Sequence, residues 1–324
     1  TGLLVNASGY VDIYKTEAKE NRLIGATITA VGDVFVADSN FSDNRGITCN
    51  DDTCEDYNAY GYGLNVSTAG NIFVSGTTAN NNYLFGATLS GANVAVTNST
   101  FNFNGSCIER AGVESLIVEC IDPTGQGLIG NSSGNTSLVN VTASNNELFG
   151  AKVQAGGNVT VTASVFSGNK SYTYFDDGDF DTNGYGLQVV ATGAILLNAD
   201  ANGVGNTASD NGEDGAILIG QSTVTVSDSI FNNNGHSGGN NGLSVTATGG
   251  DVTLNNVTAS NNHGQDGVNV TGACTYNVFV NGGTFANNDR YGLKIKLSTL
   301  VLDGTQTFAN NVIGNFFTNS NTCP

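Results

Sequence analysis

The residues of this chain that could do chemistry are carboxylates gathered in two stretches, "CNDDTCEDYNAYGYG" from Cys49 to Gly63 and "FDDGDFDTNGYG" from Phe175 to Gly186. In the second, Asp177, Asp179, Asp181 and Asn183 alternate ahead of Gly184. Asp179-x-Asp181-x-Asn183-Gly is the opening spacing of a calcium loop, in which alternate oxygens converge on a hard cation and the glycine permits the turn. The bidentate glutamate that such a loop places at its end is missing, and Val190 stands there. Asp51, Asp52, Glu55 and Asp56 make a second, poorer candidate in the first stretch. Calcium is the cation expected at either site, with magnesium or a solvated acidic turn as the alternatives, and nothing in the sequence requires a cofactor.

Other local matches lack the context their chemistry needs. "GNSSG" at Gly130 and "GHSGG" at Gly235 fit G-x-S-x-G without a strand-to-helix elbow to present a nucleophile. His236 and His263 read as surface turn residues. Six cysteines fall into pairs, Cys49 with Cys54, Cys107 with Cys120, and Cys274 with Cys323, the spacing of disulfides rather than of a zinc site. Disulfides imply an oxidising, extracellular or cell-surface setting.

These residues must be held by something, and the composition says what. The chain of 324 residues has 44 Gly, 2 Pro, no Met and no Trp, which suits short strands and tight turns and starves helices. A net charge of −18 repels phosphate backbones, so nucleic acid is not an expected partner. No apolar run approaches the roughly 18 residues of a membrane span, so no insertion is expected. No secretory signal pattern opens the chain, which reads as a mature exported protein or as an excerpt of a longer one.

A repeat organises the whole length. Each unit starts with Gly and an alternating strand, such as "GATITAV" from Gly25 or "GLQVVAT" from Gly186; a second short strand follows, then a Thr/Ser-Phe/Ala-x-x-Asn corner. The stretch "VTASNN" recurs letter for letter at Val141 and Val257. Units of about 22 to 25 residues with period-two alternation predict three short strands per coil of a parallel β-helix, about twelve coils in one domain spanning 1–324. At roughly 4.8 Å per coil the rod is about 55 to 60 Å long.

Three columns sharpen this. Three residues before the corner Asn the side chain alternates Phe41, Ala79, Phe101, Ala143, Phe166, Ala208, Phe231, Ala259, then Phe285 and Phe308. The residue after each starting Gly runs in antiphase, from Ala26, Leu64 and Ala87 to Ala151, Leu187 and Ala216. A coil with Phe at one corner has Ala at the other, so both columns point into a core of nearly constant volume. The corner Asn itself predicts a stacked amide ladder of Asn44, Asn82, Asn104, Asn146, Asn169, Asn211, Asn234, Asn262, Asn288 and Asn311, with the turn's left-handed residue expected at that Asn.

These Gly starts, the Asn ladder and the coil length resemble the right-handed parallel β-helix of the pectate-lyase-like superfamily, in the style of long extracellular bacterial repeat proteins. The resemblance covers nearly the whole chain and implies fold far more than activity, since the superfamily includes lyases, glycosidases, adhesins and surface fibres. Insertions at 45–62, 105–126, 170–185 and 235–241 all follow Phe coils and lie between the corner Asn and the next Gly, which places the loops along one edge.

Polygalacturonases of this superfamily set acids on adjacent coils with a downstream His and an Arg-x-Lys pair. Glu213, Asp214, His263, Asp266, Arg290, Lys294 and Lys296 follow a loosely similar order, with Asp214 and Asp266 both preceding a starting Gly two coils apart. The family's Asn-Thr-Asp, Asp-Asp, Gly-His-Gly and Arg-Ile-Lys motifs are not reproduced. The leading expectation is therefore an extracellular structural or adhesive rod of a bacterial surface, self-associating end to end or bound to other surface proteins and glycans. A polysaccharide-degrading enzyme is the rival.

Overall fold

The computed structural model describes residues 1–49, 57–105, 108–109, 118–119, 125–174, 180–235 and 240–319. Every assigned element is a strand. Alternation in the sequence becomes a parallel ladder because each starting strand turns its apolar face into the interior against the other faces of its coil, and its backbone groups pair with the strands one coil away. Twelve of them, from Leu3–Ala7 to Gly314–Asn319, stack in coil order into one parallel sheet. Eleven second strands, from Val11–Tyr14 to Thr299–Leu302, stack into another. The twelve Gly starts each begin one coil.

The third face departs from the expectation of a full strand per coil. It is mostly a row of single parallel bridges, such as Thr142 to Val165 and Val165 to Thr207, and among the described residues it pairs over consecutive residues at Ser99–Thr100 with Val141–Thr142 and at Thr284–Ala286 with Thr307–Ala309. Left-handed residues set this limit: Asn140 (φ 52°) and Asn145 (φ 55°) bracket it in one coil, Asn256 (φ 50°) and Asn261 (φ 56°) in another. The backbone turns at each bracket, so only a few extended residues fit between. The second bracket lies one residue before the ladder Asn, which corrects the expected position of the left-handed residue.

The core follows the two antiphase columns. Phe41, Phe101, Phe166 and Phe231 are fully buried, as are Ala26, Ala87, Ala151 and Ala216 in the same coils, while Leu64, Leu128, Leu187 and Leu243 occupy the coils with Ala79, Ala143, Ala208 and Ala259. The pattern extends to the first coil, where Leu3 follows Gly2 and Ala18 stands three residues before Asn21.

The Asn ladder forms in full and is longer than the sequence suggested, because Asn21 begins it. Each ladder Asn donates from Nδ2 to Oδ1 of the Asn in the next coil at 2.9–3.2 Å. The same Oδ1 accepts the preceding coil's backbone N–H at 2.9–3.1 Å. One oxygen thus satisfies two buried donors per coil. The Gly column belongs to the same device: a Cβ on Gly150 would stand 2.7 Å from Nδ2 of Asn169 and 2.5 Å from the Gly186 carbonyl oxygen. Glycine is required there by close approach, not by its φ.

Candidate functional site

The insertions leave the edge that holds the Asn corner, as predicted, and three of them begin as antiparallel hairpins: Gly46–Cys49 with Tyr57–Tyr60, Ile108–Glu109 with Val118–Glu119, and Ser171–Tyr174 with Phe180–Asn183. One further excursion, at 199–205, leaves a different corner and lies within an Ala coil, ahead of Ala208. Asp200 closes it by accepting the N–H groups of Asn202 and Val204, both at 2.9 Å. Those bonds, with Val204 first, hold its carboxyl below the usual range.

The calcium candidates are only partly placed. Asp181 and Asn183 lie on the returning strand of the third hairpin, opposite Thr173 and Ser171. Asp177, Asp179, Asp51, Asp52, Glu55 and Asp56 lie outside the described residues. Among the described residues no group of three or more His, Cys, Asp or Glu could hold a metal. No cysteine there is a free thiol, and Cys274 is bridged. Its expected partner Cys323, with Cys54, Cys107, Cys120 and the side chain of Cys49, falls outside them.

The position just before each starting Gly forms a column beside these hairpins. In five of the twelve coils it is aromatic: Tyr62 stacks on Phe85 with ring centroids 5.0 Å apart, and Phe149 on Tyr185 at 5.1 Å. In three successive coils it turns polar, as Asp214, Asn241 and Asp266. The backbone N–H of Asn241 donates to Asp214 Oδ1, that of Asp266 to Asn241 Oδ1 at 3.3 Å, and that of Tyr291 to Asp266 Oδ1 at 3.1 Å. Lys294 Nζ lies 3.2 Å from Asp266 Oδ2.

Asp266 is wholly buried, while Asp214 and Lys294 are nearly so. Burial, opposed by the Asn241 hydrogen bonds and assisted by the Glu213 charge, pushes Asp214 up to about 6. Burial also raises the phenol of Tyr185, followed by its hydrogen bond to Glu213. Of the residues expected at an enzyme site, the fold thus unites Asp214, Asp266 and Lys294, with Glu213 beside them. His263 lies apart, its Nδ1 3.7 Å from Asp289 Oδ2 on the surface, and Arg290 sits over the Tyr291 ring at 6.0 Å.

A folded-state pKa above the unfolded value means that ionising Asp214 opposes folding. Stability falls as pH rises from about 4 to about 6 and is flat above, a loss of about 2 to 3 kcal/mol from this group. Asp214→Asn keeps the acceptor for the Asn241 N–H and places the amide that Asn241 already places in this column. Chemical denaturation should show the variant more stable at pH 7 by about 2 to 3 kcal/mol, with the pH 4–6 slope reduced.

A second feature was not legible in the sequence. A groove of about 820 Å³ runs along the opposite margin of the first sheet, crossing the six strands from Tyr62–Thr68 to Ala216–Gly220. A second polar ladder borders it: Asp33 Oδ1 accepts from Asn71 N–H at 2.8 Å, Asn71 Oδ1 from Asn93 Nδ2 at 2.8 Å, Asn93 Oδ1 from Asn135 N–H at 2.7 Å and Asn135 Oδ1 from Asn158 N–H at 2.8 Å. The signal for that ladder was the Asp or Asn opening "DVFV", "NIFV", "NVAV" and "NVTV".

The family described as right handed beta helix region matches residues 52–201. No curated protein matches. Among solved structures the chain is similar to two A-modules from Azotobacter vinelandii. One belongs to mannuronan C-5 epimerase AlgE6, with a TM-score of 0.55, 13% identity and coverage of 98% of this chain and 90% of that one. The other belongs to mannuronan C-5 epimerase AlgE4, with a TM-score of 0.53, 12% identity and coverage of 97% and 88%. At such identities the likeness is one of fold. Together with two continuous parallel sheets and no helix among the described residues, it makes this chain a right-handed parallel β-helix.

Proposed function

We propose that the chain is an extracellular structural and adhesive rod of a bacterial surface, which associates end to end with copies of itself and engages glycans or other surface proteins along its length. The observation that carries the reading is the ladder from Asn21 to Asn311, in which the corner amides of eleven coils form one hydrogen-bonded column. Such a column favours a straight, rigid scaffold over a deformable cleft. The expected disulfides and loop-bound calcium would pin the hairpins on the same edge. Negative-stain electron microscopy with and without EDTA tests the end-to-end association. Filaments with an axial repeat of about 55 to 60 Å are expected, and their loss in EDTA would assign calcium to the assembly. Dispersed short rods in both conditions, at every concentration tried, would overturn the association.

A second reading, cleavage or epimerisation of an acidic polysaccharide, is favoured by one observation: Asp214, at about 6, shares a column with the Asp266–Lys294 pair. Against it, both carboxylates accept backbone N–H groups of the following coil, which is a structural use. Incubation with polymannuronate and polygalacturonate, read by reducing ends, new unsaturation and proton exchange at C5, separates the two. The scaffold reading expects no turnover. Turnover that Asp214→Asn abolishes would establish the enzyme.

A further inference from the structure

We infer that the groove on the margin opposite the hairpins binds an extended, uncharged polysaccharide chain lying along the rod axis. This deepens the adhesive part of the proposed function and rests on that part alone. The first wall is the outward column Ser90, Asn131, Gln154, Val190 and Ile219, placed side by side by the strand register. The second wall is the following turn, with Ala92, Ser133, Thr192 and Gln221.

Charge comes first. No residue lining the groove is ionisable, although the chain carries −18 overall. A polyanion gains no counter-charge there and meets the repulsion of the whole molecule. A cationic partner would find its carboxylates elsewhere.

Hydrogen bonding comes next. The strands bordering the groove are paired on both sides by neighbouring coils, so an extended peptide finds no free backbone edge to join. What the groove offers instead is side chains. Among the described residues, no hydrogen bond within the chain engages the side chains of Ser90, Asn131, Gln154 or Gln221. They contrast with the ladder amides, which are all engaged.

The walls also change character along the axis. Hydroxyl and amide groups at Ser90, Asn131 and Gln154 give way to Val190 and Ile219, 36% and 37% exposed. A sugar ring has the matching duality of equatorial hydroxyls and an apolar C–H face. Six coils at roughly 4.8 Å each give about 24 Å between the first and last, enough for several sugar units end to end.

Isothermal titration calorimetry of the whole chain with β-1,4-linked glucose hexamer, N-acetylglucosamine hexamer and mannose hexamer, and with a galacturonate hexamer as the charged control, tests this. At least one neutral hexamer should bind at one site per chain, and the galacturonate hexamer should not. Asn131→Ala with Gln154→Ala removes two outward side chains without touching core or ladder, and should weaken binding about tenfold or more at an unchanged melting temperature. Absence of heat with all three neutral hexamers at millimolar concentration overturns the inference. So does an affinity that the double variant leaves unchanged, or a preference for the galacturonate hexamer. A chain that forms filaments yet binds no hexamer retains the scaffold and loses only this groove.

Discussion

Asn169→Ala should destabilise the rod by about 3 to 5 kcal/mol, more than any surface substitution on it. Asn169 is fully buried, and its Oδ1 accepts both the backbone N–H and the Nδ2 of Asn146 at 3.0 Å. Truncation leaves both donors without a partner and without water, at about 1 to 3 kcal/mol each. It also removes the Nδ2 that reaches Asn211 Oδ1 at 3.0 Å. Because coils interact with nearest neighbours, the loss should be local before it is global. Amide hydrogen exchange should accelerate first at Asn146 and Asn169, with little change beyond the next coil on either side. Uniform acceleration along the rod would mean that the ladder couples all coils together. A loss under about 1 kcal/mol would mean that the column is ornamental.

Phe166→Ala should cost a similar amount, about 3 to 5 kcal/mol, for a different reason. The ring is fully buried and fills the coil that Ala151 leaves under-filled. Adding Ala151→Leu restores volume to that coil, and the double variant should recover part of the loss. Recovery should stay below half, because the introduced leucine would stand between Leu128 and Leu187, the register partners of Ala151 in the neighbouring strands. Thermal denaturation of the single and double variants measures this directly. Full recovery would show that only the volume of each coil matters; no recovery would show that the alternation between coils matters more.

Both effects were readable from the sequence because they are columns. A residue type that returns every coil must occupy the same place, so Phe41 and Phe166, or Asn44 and Asn169, announce each other. The third face was misjudged because its length is set by left-handed residues such as Asn140 and Asn145, and any Asn in "NVTASNN" could have taken that role. Asp214 and Asp266 could be aligned by their place before Gly, but nothing in the letters showed that both would be buried and committed to backbone N–H groups. The groove was invisible for a related reason. Its lining is mostly Ser, Thr, Ala, Gly, Asn and Gln, ordinary along the chain, and becomes a surface only when residues 22 to 42 positions apart lie side by side.

The ladder distances carry one more consequence. Successive ladder Asn residues are separated by 22 positions between Asn82 and Asn104 and by 42 between Asn104 and Asn146, yet the amides meet at 3.1 and 2.9 Å. The corner therefore transmits no information about how much chain is looped out beyond it, and doubling a loop adds only about 0.6 kcal/mol of closure entropy. For a lineage, or for an engineer, this edge is a row of sockets set two coils, roughly 10 Å, apart, where cargo can be exchanged without retuning the shaft. Variation among homologues, and tolerance of grafted peptides, should concentrate there while the columns stay fixed.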